Sequence, residues 1–257
     1  MKDQLLKEKL RNNELTIGSW ITIGHPAIPE ILATAGFDWL AIDIEHNSID
    51  LLMTQILIST IQSKNIAALV RVSKNEEVVI KHVLDAGADG VIVPMINSRE
   101  DAVKAVEYVK YPPVGKRGVG LSRAQEYGTG FEKYKKWLNE NVVIIAQIEH
   151  IDGVKNIESI ITTPGIDAIM IGPYDLSGSL GYPGDYDRNE VKGALRQVEE
   201  VCKNKNFPLG FHVVPPEIKL MEDTISKGYR FVAFSTDFLF MRTKASDELR
   251  EIKKVKK

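Results

Sequence analysis

Residues 142–150, VVIIAQIEH, and residues 167–177, DAIMIGPYDLS, share one plan: a run of apolar, β-branched residues followed by a carboxylate, Glu149 in the first and Asp175 in the second. Nearly continuous apolar character over a short run is what a parallel strand covered on both faces requires. Six further runs of this kind flank the pair: TIGSWITIG (16–24), WLAIDI (39–44), IAALVRV (66–72), GVIVPM (90–95), FPLGFHVV (207–214) and RFVAFS (230–235). Amphipathic stretches separate them, among them residues 29–36, 76–87, 99–110, 190–205 and 216–228, several closing on a glycine as helix ends favour. Strand and helix alternating eight times predicts an α/β fold, a single (β/α)8 TIM barrel. The first βα loop lacks GxGxxG, which weighs against an open dinucleotide-binding sheet.

The chain's 257 residues match the ~250 typical of one barrel, and residues 1–257 are read as one domain. The longest connection, residues 111–141, reads as a loop rich in Gly, Arg and aromatic residues, and loops of that length are commonly functional. The 33 basic and 35 acidic residues nearly cancel, to a formal charge of −2, so nothing in the balance points to nucleic acid or an anionic membrane surface. The expected partners are small molecules and further copies of the chain. A single cysteine, Cys202, excludes an intrachain disulfide framework, and the stretch MKDQLLKEKLRNNE has no apolar signal core. No apolar run reaches the ~18 residues that cross a bilayer. The expectation is a cytoplasmic protein, with the mixed-charge tail DELREIKKVKK forming a solvated helix end or part of an oligomer contact.

In a barrel the chemistry sits at the C-terminal ends of the strands. Those ends carry Gly24 and His25, then Asp43, Glu45 and His46, then Arg71, Pro94 and Met95, Gln147 and Glu149, Gly172 to Asp175, His212 and Ser235. Two carboxylates on successive strand ends suit a hard divalent cation. Each has a plainer alternative: Glu149 as an acid before a helix at about residues 152–160, and Asp175 as the cap of a short turn. His46 suits proton transfer, with Asp43 and Glu45 to orient it, or is a loop histidine satisfied by backbone. Arg71 holds a carboxylate or oxyanion, or closes a structural ion pair. His25 and His212 are candidates to line the pocket, whereas His82, His150, Lys74 and Cys202 read as structural or solvated. The strand cores lack the desolvated lysine of a Schiff-base aldolase. No glycine-rich phosphate loop follows strands seven and eight, so an unphosphorylated ligand is expected.

Together the motifs GFDWLAIDIEH (36–46), ALVRV (68–72), VLDAGADGVIVPM (83–95), YPPVGKRGVG (111–120), AQIEH (146–150) and IMIGPYDLSGSLGYPG (169–184) resemble the HpcH/HpaI aldolase family, the class II pyruvate aldolases, over residues 16 to 240 or so. The resemblance implies a metal-dependent barrel, a homo-oligomer of hexameric type with a swapped C-terminal helix, and reversible cleavage of a 4-hydroxy-2-oxoacid to pyruvate and an aldehyde. It implies Glu149 and Asp175 as metal ligands, His46 as catalytic histidine and Arg71 as the pyruvate-contacting arginine. Gln147, Gly172, Pro173 and Tyr174 fall where the 2-oxoacid is held, and Asp43 and Asp85 match acids near the histidine. The ion is a divalent cation, Mg, Mn, Co or Zn, with oxygen-only donors favouring Mg or Mn on hardness grounds. GFHVVPP (210–216) and LSRAQEYG (121–128) depart from the family's best-known members. Both are expected to border the aldehyde side of the pocket. The alternatives are a citramalyl- or malyl-CoA type thioester lyase on the same scaffold and a catalytically silent barrel.

Overall fold

The computed structural model describes residues 5–255. A short helix α1 (Leu6–Arg11) precedes β1 (Thr16–Ile21), α2 (Ala27–Ala33), β2 (Trp39–Asp43) and α3 (Leu51–Ser63). Next come β3 (Ala67–Arg71), α4 (Glu77–Asp85), β4 (Gly90–Val93), α5 (Arg99–Val109), a 3-10 turn at Arg123–Gly128, and α6 (Phe131–Asn141). The chain continues through β5 (Val143–Ile148), α7 (Ile151–Lys155), α8 (Ile157–Ile161), β6 (Ala168–Ile171), α9 (Pro173–Ser179) and α10 (Asn189–Asn204). It ends with β7 (Leu209–Val213), α11 (Ile218–Ser226), β8 (Phe231–Thr236) and α12 (Asp237–Val255). All strands pair in parallel in chain order and β8 returns to β1, closing the barrel that the alternation predicts. Among the described residues no helix is long and apolar enough to cross a membrane.

Strand parity divides the core. Outward residues such as Leu40, Ile42, Val70, Ile144 and Ile148 pack beneath the helices, while Trp20, Trp39, Leu69, Ile92, Ile145, Met170 and Phe231 fill the barrel. Trp39 stacks on Phe231 at 4.3 Å, and a Cβ on Gly18 would lie 2.0 Å from the Trp39 ring, so only glycine fits opposite that indole. Leu6 and Leu10 of α1 join this inner layer, and the buried Lys7 Nζ donates to Val142 O at 2.7 Å and to Asp167 Oδ2 at 3.0 Å. The polar N-terminal stretch therefore contains the helix that seals the floor of the barrel. Stepping two residues on from each inward residue reaches the mouth: Trp39 and Ala41 lead to Asp43, Leu69 to Arg71, Ile145 to Gln147, Met170 to Gly172 and Gly210 to His212.

The sequence expectation falls short in two places. Residues 111–141 are not one long loop, because α6 occupies the second half and buries Tyr134 and Leu138. Helix α3 fits the alternation but is not among the stretches singled out as amphipathic: it buries Thr54, Leu57, Ile58 and Ile61, while Leu51, Leu52 and Ile56 are apolar yet exposed and blur the helical period.

Candidate active site

Asp43 and Arg71 stand side by side on adjacent strands, where residue pairs with residue in register. Arg71 donates from Nε to Asp43 Oδ1 at 2.9 Å and from Nη2 to Oδ2 at 2.8 Å, a two-point grip that fixes the plane of the guanidinium. Its carbon lies 4.5 Å from the centre of the Trp20 ring. Asp43 also accepts from the backbone N–H of Glu45 at 3.1 Å and from Asn47 Nδ2 at 2.5 Å. Burial opposes ionisation of Asp43, but Arg71 and the backbone N–H groups of Glu45 and His46 outweigh it and hold the carboxyl below its usual range. Glu45 Oε2 sits 3.3 Å from Arg71 Nε and 3.5 Å from His46 Nε2, and His46 itself is open to solvent, its side chain 59% exposed.

Across the mouth, Glu149 is buried, accepting from Met95 N–H at 3.1 Å and from the Gln147 amide. It does not cap α7, whose N-terminal side-chain acceptor is His150. Gly172 closes over it: a Cβ there would lie 2.7 Å from Glu149 Oε1. Asp175 is the third residue of α9, with Gly172 at the cap, so the turn-capping alternative falls. The amides of Tyr174 and Asp175 belong to that helix's first turn, where N–H groups have no intrahelical acceptor. Tyr174 turns its own ring outward against Tyr186, at 5.4 Å.

Charge at this mouth is unbalanced. Burial, then the charges of Asp43 and Asp175 against the pull of Arg71, push Glu45 up to about 7. Burial, then Glu45 and Asp175, push Glu149 up to about 7 as well. Gln147 Oε1 and Glu45 Oε2 are buried without a hydrogen-bond partner. Crowded carboxylates and an orphaned amide oxygen form an all-oxygen donor set that fits a hard divalent cation. Among the described residues no group of three or more His, Cys, Asp or Glu side chains could by itself hold a metal.

A cavity of about 80 Å³ opens here between Trp20, Arg71, Gln147, Gly172, Asp175 and His212. A larger one, of about 390 Å³, lies between Gln62, Arg123, Tyr134 and Trp137 at the floor, with no comparable surplus of buried acids. Asp85 belongs to that end. It is the last residue of α4, which runs back toward the strand starts, and it bonds to Arg117 and Gln125. Within one chain Asp85 is thus not brought to His46, contrary to the expectation, and neither is LSRAQEYG, whose Gln125 and Arg123 pack on the same floor. GFHVVPP does reach the mouth through His212 and Val214. His25 is exposed and accepts from Ala27 N–H, Lys74 is exposed beside Glu76, and Cys202 is buried. The buried lysines, Lys7 and Lys110, lie at the floor bonded to backbone carbonyls, so neither is a Schiff-base lysine at the mouth. The sequence reading missed Trp20 and the Met95 amide; strand parity was the available signal for the first.

A closed barrel with acids, an arginine and a histidine gathered at the strand ends defines a carbon–carbon lyase of the aldolase class once its relatives are set beside it. The chain belongs to the HpcH/HpaI aldolase/citrate lyase family, whose profile matches residues 16–242. It is 34% identical over 245 residues to a 2-dehydro-3,6-dideoxy-6-sulfogluconate aldolase of Pseudomonas putida, covering 95% of each chain. It is 36% identical over 240 residues to a 5-keto-4-deoxy-D-glucarate aldolase of Enterobacter sp. (strain 638), covering 92% of each. A crystal structure of an HpcH/HpaI aldolase/citrate lyase family protein from Burkholderia cenocepacia J2315 superimposes with a TM-score of 0.91 at 32% identity, over 96% of this chain and 98% of that one.

Proposed function

We propose that this protein catalyses the reversible, divalent-metal-dependent cleavage of a 4-hydroxy-2-oxoacid to pyruvate and an aldehyde. The observation that carries the proposal is the pairing, at one mouth, of a rigidly gripped Arg71 with the uncompensated acids Glu149 and Asp175. Relatives named as aldolases of deoxy-oxo sugar acids support it. Glu149 and Asp175 would hold the cation, Mg or Mn before Co or Zn given oxygen donors alone. When bound, that ion supplies Lewis-acid polarisation of the 2-oxo group.

The protein groups do the rest. Arg71, unable to rotate away from Asp43, offers its positive charge to the C2 oxygen as negative charge develops there. Gln147, Gly172, Pro173 and the Tyr174 amide line the side on which the oxoacid carboxylate lies. His46, steered by Glu45, takes the proton from the C4 hydroxyl while the C3–C4 bond breaks; the bonding pair becomes the pyruvate enolate and the aldehyde departs. In the condensing direction His46 returns that proton. Asp43 acts on Arg71 rather than on substrate, and Asp85 has no part in this chain's own mouth. The reading extends to a homo-oligomer with exchanged C-terminal helices, supported by exposed Met241, Leu249 and Ile252 on α12; light scattering checks it.

The test needs no aldehyde. Pyruvate in D2O should lose its methyl proton signal in the presence of Mg or Mn, and keep it with EDTA or with Glu149→Ala. Absence of exchange under any metal contradicts the proposal and turns attention to CoA thioesters or to a silent barrel.

A further inference from the structure

His212 is the inward residue of β7 at the height of Arg71 and Gln147, and it shares their cavity. Its ring centre is 5.7 Å from that of Trp20, and the cavity they share is lined by Met170, Ile171 and Val214 together with the polar Arg71, Gln147 and Asp175. It is therefore one of a few polar side chains set among apolar and aromatic ones in a single cavity, the kind of placement that orients a ligand.

Its protonation pattern is set by the backbone. Strand pairing slips between Gly18 and Trp20, which face Ala233 and Thr236, so β8 carries one extra residue there. That bulge brings Ser235 into the left-handed region at φ 53°, a conformation a non-glycine residue holds only where its surroundings impose it. Ser235 Oγ donates to Val214 O at 3.0 Å, and Ser235 O accepts from Ser19 Oγ at 3.3 Å. The same carbonyl lies 3.2 Å from His212 Nε2. A carbonyl oxygen only accepts, so Nε2 carries the hydrogen and Nδ1 presents a lone pair. Burial pushes the imidazole down to about 4, which keeps it neutral. None of the hydrogen bonds among the described residues ends on Nδ1.

We propose that His212 Nδ1 accepts a hydrogen bond from a hydroxyl on the substrate's carbon chain, making the site selective for hydroxylated over deoxygenated 2-oxoacid and aldehyde pairs. The inference rests on the aldolase reading and adds its substrate class. A lone pair repels an anionic group, so a carboxylate or phosphate does not take this place; a neutral hydroxyl does. The Ser235 bulge is the positioning element that fixes the tautomer.

Two isosteric comparisons test it, each replacing a hydroxyl by a methyl: glycolaldehyde against propanal with pyruvate as donor, and hydroxypyruvate against 2-oxobutanoate with a common acceptor. In His212→Leu at least one ratio of kcat/KM should fall about tenfold or more, the loss expected when one hydroxyl loses its partner. The ratio that falls identifies the carbon bearing the hydroxyl. His212→Asn, which returns an acceptor oxygen near the Nδ1 position, should recover part of that ratio. Equal losses on both members of both pairs would mean a packing role and overturn the proposal. Imidazole 15N spectra of the wild-type protein give a second reading, expected to show the Nε2–H tautomer and a shift of Nδ1 when hydroxypyruvate is added with Mg. An Nδ1–H tautomer overturns the proposal whatever the variants do. Failure of the aldolase reading shows up separately, as absent exchange of pyruvate protons.

Discussion

Two arginines at opposite ends of the same barrel have the same kinds of partner, an aspartate and an aromatic ring, in different surroundings. Arg117, 1% exposed, bonds Asp85 and Tyr134 Oη and lies over the rings of Tyr111 and Tyr134, at 4.9 and 5.5 Å. Arg71 likewise bonds an aspartate and lies over an aromatic ring. At the floor the neighbours are neutral: two phenols, the Gln125 amide and backbone. At the mouth two further carboxylates, Glu45 and Glu149, act on one guanidinium, and both are pushed toward neutrality. An Arg–Asp pair with an aromatic lid is thus no sign of function on its own. The surplus of carboxylate charge and the unpartnered Gln147 Oε1 beside it are.

Substitutions can break this contrast. The largest effect should come from Glu149→Ala, with kcat/KM falling on the order of a thousandfold, the several kcal/mol that a Lewis acid contributes; a variant with near-normal kcat/KM would remove Glu149 from the metal site. Next is Arg71→Lys, which keeps the charge and loses the two-point geometry. It should lower kcat by roughly a hundredfold, near the ~3 kcal/mol of one oxyanion donor, while the urea midpoint moves little. Arg117→Ala should instead lower stability, by about 3–5 kcal/mol, because it empties the buried guanidinium's place and leaves the half-buried Asp85 without its partner. If the two arginines exchanged these signatures, the contrast between mouth and floor would be wrong.

Smaller effects sharpen it. A proton on Glu149 competes with a cation, and burial beside Glu45 and Asp175 pushes its carboxyl up to about 7. Mn2+ affinity measured by calorimetry should therefore rise about tenfold from pH 6 to pH 8, since the ligand form is the deprotonated one present above that pKa. A flat profile, or tighter binding at pH 6, would contradict the assignment. The smallest change should be Trp20→Leu, which removes about 0.5–1 kcal/mol of cation–π attraction from Arg71 and should raise KM for pyruvate a few-fold in steady-state assays.

Much of this was legible in the residues. The barrel follows from eight apolar runs, and strand parity alone carries the reader from Trp39 and Ala41 to Asp43, from Leu69 to Arg71 and from Ile145 to Gln147. What escaped had physical reasons. Helix α3 is apolar on both faces, so its period is faint. The family motifs place Asp85 near His46, but it sits a few residues before β4 and so lies at a strand start, not a strand end. The bulge at Ser235 leaves no mark in sequence, because serine is not a residue that advertises a left-handed backbone. Residues 1–4 and 256–257, part of the N-terminal stretch and the end of the tail, lie outside the described residues.

The most direct test of the mouth as the cation site is an electron paramagnetic resonance titration of Mn2+ into the protein at pH 8, with Glu149→Gln, Asp175→Asn and Asp85→Asn alongside. One Mn2+ per chain, lost in the first two variants and kept in the third, is the predicted result. Binding that survives both mouth substitutions, or disappears only with Asp85→Asn, would contradict the account.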